Sequence, residues 1–387
     1  MEDLIAAVST EFASIFPDAG KPKVALAPGR VNLIGEHTDY NEGYVLPAAI
    51  DRYVAAAFTP RKDGRVQAYS IDFQELQELE IAKLRAPGGS RWIDYIAGVA
   101  WALAESGSKV VGASMIVKGN VPVGAGLASS AAIEMSAARA FAALSGIDWD
   151  PPFMAGIGQK VENAYIGVDS GIMDQFVSAA SKERCALLID CRSLKAEAVP
   201  IPDSFSIVVM DTGARRTLAG SAYNERRASC RKAVEIIRRE RPDISSLRDV
   251  DLSTLEHFQP SMDTTTFWRA KHVVQENFRP VDLTRALAVQ DREAVGRLMS
   301  QSHASLKNLY EVSSRELDLM VALASRHPAC IGARMTGAGF GGCAVALVDS
   351  DGISDFTQKV QEKYREQVDL PSVLFACKAA GGARIVT

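Results

Sequence analysis

An α+β fold is what the order of segments in this chain of 387 residues predicts. Three observations carry it: short runs rich in Val and Ile, longer segments with apolar residues at helical spacing, and an interleaving that never settles into clean βαβ units. A chain of this length divides most readily into two domains. The polar passage from Lys195 to Asp203, with two prolines, marks the expected boundary, giving domains over 1–195 and 196–387.

Met1 to Pro17 reads as an amphipathic helix. It carries Glu2 and Asp3 near its start and lacks a basic start, an apolar centre and a small-residue cleavage site, so no secretory signal is expected. Val24–Ala27, Tyr53–Phe58, Ser114–Val117, Ala186–Asp190 and Ser206–Met210 have strand length and strand composition. Trp92–Leu103, Ser130–Leu144, Phe153–Tyr165, Glu225–Arg238 and Leu317–Ala324 repeat their apolar residues at helical spacing. Pro242–Thr266 is irregular and predicts a surface loop with short helical turns.

Composition excludes several classes. Hydrophobic residues make up 47% of the chain, enough for a large core. No apolar run approaches the roughly 18 residues of a membrane span, so no membrane partner is expected and the cytoplasm is the expected compartment. A net charge of −4 argues against a nucleic-acid partner. The one basic stretch, Arg226, Arg227, Arg231, Lys232, Arg238 and Arg239, lies in a helical pattern and reads first as a solvated face. Six scattered cysteines without a C-x-x-C pair exclude metal fingers and redox dithiols, and predict buried thiols in a reducing compartment.

Chemistry concentrates in three segments. Ala27 to Pro47 places Arg30, Asn32, Glu36, His37 and Asp39 within a short span beside two glycines. Carboxylates and an imidazole so grouped suit sugar hydroxyls, each both donor and acceptor. Val121-Pro-Val-Gly-Ala-Gly-Leu-Ala-Ser-Ser-Ala131 opens a helical pattern. Its free backbone N–H groups and the positive helix end suit phosphate, and Ser129 and Ser130 add hydroxyls. No Lys follows the final Gly, so it is not a Walker A loop. Met335-Thr-Gly-Ala-Gly-Phe-Gly-Gly342 contains G-x-G-x-x-G but leads into a strand pattern, Ala344–Val348. The dinucleotide fingerprint must open a helix, so that reading fails here. Glu162 and Asp174 form a further acidic pair. A kinase needs one carboxylate on Mg²⁺ and one beside the attacking hydroxyl.

These residues resemble the galactokinases of the GHMP kinase superfamily. Gly-Arg-Val-Asn-Leu-Ile-Gly-Glu-His-Thr-Asp-Tyr-Asn, ending in Gly-Tyr-Val-Leu-Pro, is similar to the family's signature. The Gly124 to Ser130 segment is similar to its phosphate loop. Gly171–Phe176, Leu187–Ser193, Tyr223–Arg227, Ala270–Val274, Ser302–Ser305 and the third Gly-rich segment recur in the family too, in order along nearly the whole chain. The resemblance implies a two-lobed GHMP kinase fold, with the active site in the cleft between N- and C-terminal domains. It implies transfer of the γ-phosphoryl group of ATP to the C1 hydroxyl of α-D-galactose, the entry of galactose into the Leloir pathway. A sister kinase for another galactose-like sugar, or a non-catalytic galactose and ATP sensor, are the alternatives.

Carried over position by position, the resemblance implies that Glu36, His37, Thr38, Asp39, Gly171 and Tyr223 hold the sugar. Asp174 faces the anomeric hydroxyl as base, with Arg30 beside it. Gly124, Ala125, Gly126, Leu127, Ala128, Ser129 and Ser130 cradle ATP, with Ser70 and Trp92 on the nucleotide side. Ser130 and Glu162 bind Mg²⁺. A monomer, or at most a weak homodimer, is expected. Three departures stand out: Ala128 where the family has a Ser, Glu42 for a common Gly or Asp, and Asp211-Thr212 for Asn-Ser near the sugar.

Overall fold

The structure, a computed structural model, describes residues 1–215 and 219–386, for 219–221 the backbone alone. Thirteen strands appear among them: β1 (Lys23–Asn32), β2 (Tyr44–Val45), β3 (Pro47–Arg61), β4 (Arg65–Ser70), β5 (Glu75–Glu80), β6 (Gly112–Gly119), β7 (Cys185–Asp190), β8 (Lys195–Pro200), β9 (Phe205–Asp211), β10 (Cys330–Met335), β11 (Cys343–Asp349), β12 (Val373–Cys377) and β13 (Arg384–Ile385). The α-helices are α1 (Glu2–Ile15), α2 (Trp92–Glu105), α3 (Ser129–Ser145), α4 (Pro151–Lys160), α5 (Met173–Ala180), α6 (Ala219–Arg238), α7 (Leu252–His257), α8 (Thr264–Glu276), α9 (Arg279–Ala288), α10 (Arg292–Asn308), α11 (Arg315–Ser325) and α12 (Ile353–Arg365). Strands and helices alternate without a regular βαβ repeat, the α+β class expected.

A six-stranded sheet in the order β13-β1-β3-β6-β4-β5 forms the N-terminal domain, and β10-β11-β9-β12 the C-terminal one. A small sheet, β2-β7-β8, flanks them. Pairing is antiparallel except between β4 and β6. Alternation along β1 sorts the first sheet's faces. Ala25 and Ala27 join a core with α2 and α3, whereas Val24 and Leu26 meet Val8 and Phe12 of α1. On β9, Ile207 and Val209 share that first core, while Val208 and Met210 face a second one with α6, α8 and α11. One core therefore runs under both domains.

Every predicted strand and helix is present, with four changes. β1 extends past Ala27 through Pro28-Gly29 to Asn32, because a register shift between Pro28 and Arg30 absorbs the residue that cannot donate. The helix expected over Phe153–Tyr165 ends as α at Lys160 and continues as a π-helix over Val161–Ile166. The boundary expected at 195/196 falls inside a hairpin: Lys195–Pro200 is β8, paired with β7 from Cys185↔Pro200 to Asp190↔Lys195. Arg226 is not on a solvated face; it is buried and donates to the carbonyls of Tyr310 (3.1 Å) and Glu311 (2.7 Å). No helix among the described residues is long and apolar enough to cross a membrane.

Candidate active site

The bulge in β1 aims Arg30 at two neighbours. Its Nε and Nη2 donate to Asp174 Oδ1 and Oδ2 at 2.9 and 2.6 Å, a two-pronged pair, and Nη1 donates to the Gly126 carbonyl at 2.6 Å. Asp174 sits in the first turn of α5, held near β1 by the Ser178 hydroxyl, which donates to the Pro28 carbonyl at 2.8 Å. One buried guanidinium thus joins the first strand, the α5 carboxylate and the Gly-rich loop.

That loop runs against β1: Arg30 N–H donates to the Leu127 carbonyl at 3.0 Å. Gly124 and Gly126 have φ of 71° and 80°, and Ala128 takes the left-handed value of 58° before α3 begins at Ser129. No side chain caps α3. Its first N–H groups and dipole are therefore left to a ligand. The Ser130 hydroxyl bonds Glu162, which the π-helix carries. Burial, with the charge of Asp174 adding to it, lifts the Glu162 carboxyl to about 7, against the Ser130 bond.

On the other side of Arg30 lie the carboxylates of the turn after β1. Glu36 Oε1 accepts Gly337 N–H at 2.5 Å, and Oε2 accepts from Asn32 Nδ2. Burial pushes the Glu36 carboxyl up, opposed chiefly by the charge of Arg334. His37, at φ 64°, has its Nδ1 2.8 Å from the Tyr40 hydroxyl and its ring against Tyr223 and Tyr310. Burial, then the charge of Asp174, raises the Asp39 carboxyl to about 6. A Cβ at Gly171 would fall onto the Asp39 carboxylate, so only glycine leaves that space, and the Gly171 backbone also bonds Tyr223.

A single cavity of about 470 Å³ joins these groups. Arg30, Asp174, Glu36, His37, Asp39, Gly171 and Tyr223 line it, as do Gly124, Gly126, Leu127, Ala128, Ser129, Ser130 and Glu162. Four expected residues stand apart. Ala125 is buried in the core. Thr38 is buried and spends its hydroxyl on the carbonyls of Gly35 (2.8 Å) and Tyr44 (2.6 Å). Trp92 donates Nε1 to Glu75 at 2.8 Å and stacks on the exposed Phe73, whose N–H reaches Ser70 Oγ at 3.3 Å. Asp211 and Thr212 do not line the cavity either: Asp211 holds Arg215 through two bonds of 2.7 and 2.9 Å, and Arg215 lines the cavity.

Sequence reading missed Arg215, Tyr95, Val168, Ser170 and Met173, and singled out Gly337 and Ala338 only as part of the third Gly-rich segment. Arg215 had a signal, a cation four residues beyond Asp211, where the strand ends. Tyr95 had none, being one aromatic on an apolar helix. No group of three or more His, Cys, Asp and Glu gathers as a metal site among the described residues. Ser130 and Glu162, one hydroxyl and one carboxylate beside a phosphate-suited loop, do fit Mg²⁺, which takes few protein oxygens and fills its shell with phosphates and water.

Residues 10–60 match the family model for the galactokinase galactose-binding signature, 94–182 that for the GHMP kinases N terminal domain, and 283–366 that for the GHMP kinases C terminal. A galactokinase of Roseiflexus sp. is 41% identical over 93% of this chain and 92% of its own length. The chain belongs to the galactokinase family. Another relative, the galactokinase of Chloroflexus aurantiacus, is 40% identical over 98% of both chains. Among solved structures, the Lactococcus lactis galactokinase in complex with galactose superimposes with a TM-score of 0.95 at 36% identity, covering 99% of this chain and 100% of that one. The Methanococcus jannaschii mevalonate kinase, 17% identical with a TM-score of 0.62 over 94% and 99%, shares the fold.

Proposed function

We propose that this chain transfers the γ-phosphoryl group of ATP to the anomeric hydroxyl of galactose, in the cytoplasm. The observation that carries this reading is the Arg30–Asp174 pair, bonded at once to the Gly-rich loop and flanked by the Glu36 and Asp39 carboxylates in one cavity. Phosphoryl transfer asks the protein mainly for position and charge balance. Glu36, His37, Asp39 and Tyr223 bind the sugar by its hydroxyls. Asp174 keeps lone pairs free beyond the two that Arg30 occupies, and with them orients the anomeric hydroxyl and takes its proton. Arg30 and the N–H groups of the Gly124–Ser130 loop face the charge on the transferring oxygens. Ser130 and Glu162 would hold Mg²⁺, which when bound neutralises the triphosphate.

The test is ADP release across a sugar panel. Galactose should be turned over far better than glucose, its C4 epimer, because a site built to read one hydroxyl rejects the analogue by several powers of ten. Equal turnover of the two would overturn the galactose assignment. Binding without turnover of any sugar would make the protein a sensor instead.

A further inference from the structure

Behind the sugar-facing carboxylates lies a group that the cavity never touches. Arg334 of β10 is wholly buried, and its Nη1 stands 3.5 Å from Glu36 Oε1. The same nitrogen donates to the Asn32 carbonyl at 3.0 Å, while Nε and Nη2 find no hydrogen-bond partner among the described residues. Two unsatisfied donors on a buried cation are costly. An apolar side chain of similar length would fill such a place at lower cost, so packing does not explain an arginine here.

Glu36 supplies the reason. Its side chain is 2% exposed, yet it lines the cavity, where a sugar hydroxyl needs an acceptor. A protonated carboxyl would turn one oxygen from acceptor to donor. Burial favours that proton, and Arg334 is the charge that opposes it most, ahead of Arg30. The other charged or titratable groups near Glu36 do not replace it. Asp39 is an anion in the same cavity, and His37 adjoins in sequence. His272 meets the Glu36 backbone carbonyl through Nε2 at 3.1 Å, and burial depresses its imidazole to about 4, leaving it neutral. Glu276, which accepts Gly35 N–H at 2.9 Å, is matched by Arg279.

We propose that Arg334 is a positioning residue for the sugar: a buried counter-charge that keeps Glu36 an anion, and so an acceptor for a sugar hydroxyl. This rests on the sugar reading above.

Steady-state kinetics with galactose varied at saturating Mg·ATP, from pH 6 to 9, test it. Arg334→Met should raise KM for galactose about tenfold or more at pH 7, the loss of one hydrogen bond to a charged acceptor, with kcat within about threefold. The excess over wild type should shrink toward pH 9, as Glu36 gives up its proton. Arg334→Lys, which keeps the charge, should remain near wild type across the range. In a Glu36→Gln background, Arg334→Met should add nothing to KM. A KM excess that does not change with pH, or a Lys variant no better than Met, would overturn the proposal. Should Arg334→Met fail to fold, adding Glu36→Gln should restore the fold by removing the unmatched anion, and failure of that rescue overturns it as well. If the wild type turns over no sugar, the kinase reading fails, and the same pH series is then read on galactose binding by calorimetry. Absence of binding there defeats both.

Discussion

At the scale of single residues, the Arg30–Asp174 pair is where the proposed reaction is tested. If Asp174 accepts the anomeric proton as proposed, Asp174→Asn removes that capacity at almost constant shape, and turnover should fall about 10²–10⁴-fold with the melting temperature nearly kept. Arg30→Lys keeps the charge but loses the planar fork that spans Asp174 and Gly126, and should lose turnover more than sugar affinity. A pair that only pinned two loops together would show the reverse, a lower melting temperature with near-normal turnover. Asp39 offers a pH test. Its carboxyl, raised to about 6, favours the protonated fold, a contribution present below the ordinary carboxyl range and lost as pH rises through 6. Asp39→Asn should therefore stabilise the ligand-free protein by about 1–2 kcal/mol at pH 7, with the gain shrinking toward pH 5, while weakening galactose binding. Thermal melts of both proteins at the two pH values check it. These residues were legible because the chemistry crowds them into the ten positions from Arg30 to Asp39 or into a few short motifs. Tyr95 and Arg334 were not, since each is a single residue in an apolar pattern and meets the cavity or Glu36 only through the fold.

At the scale of elements, the Gly-rich loop and the π-helix set where Ser130 and Glu162 meet. Ala128 holds a left-handed φ of 58° that costs a residue with a Cβ about 1–2 kcal/mol. Ala128→Gly relieves that and gives back part of it in chain entropy. A net gain of about 0.5–1 kcal/mol in urea unfolding is expected. A loss of stability would mean that the Ala128 methyl packs to more effect than its backbone strain. The helix at Phe153–Tyr165 was legible from its apolar spacing, but the π-turn within it was not: the extra residue at Val161–Ile166 leaves that spacing looking continuous. Such turns recur at functional sites, and this one carries Glu162 to Ser130. β1 was readable only as far as Ala27, because Pro28 and Gly29 look like a strand's end until the bulge accommodates them.

At the scale of the molecule, motifs remote in sequence grip one another. Thr336 Oγ1 accepts Asn32 N–H at 2.9 Å and lies 3.1 Å from the Asn32 carbonyl, while Gly337 N–H reaches Glu36. The third Gly-rich segment, legible as a motif, is thus the C-terminal domain's hold on the turn after β1. Illegible was β13, two residues without a pattern that complete the edge of the first sheet beside β1. The stretch leading to it follows the N-terminal domain closely: Ala380 N–H donates to Ala49, Ala383 N–H to Ser178 on the Asp174 helix, and Val386 N–H to Val24. The strand that bears Arg30 and the helix that bears Asp174 are thus clasped by one short stretch lying at least 200 positions further along the sequence than either, so a substitution near Ala383 reaches both without touching the cavity.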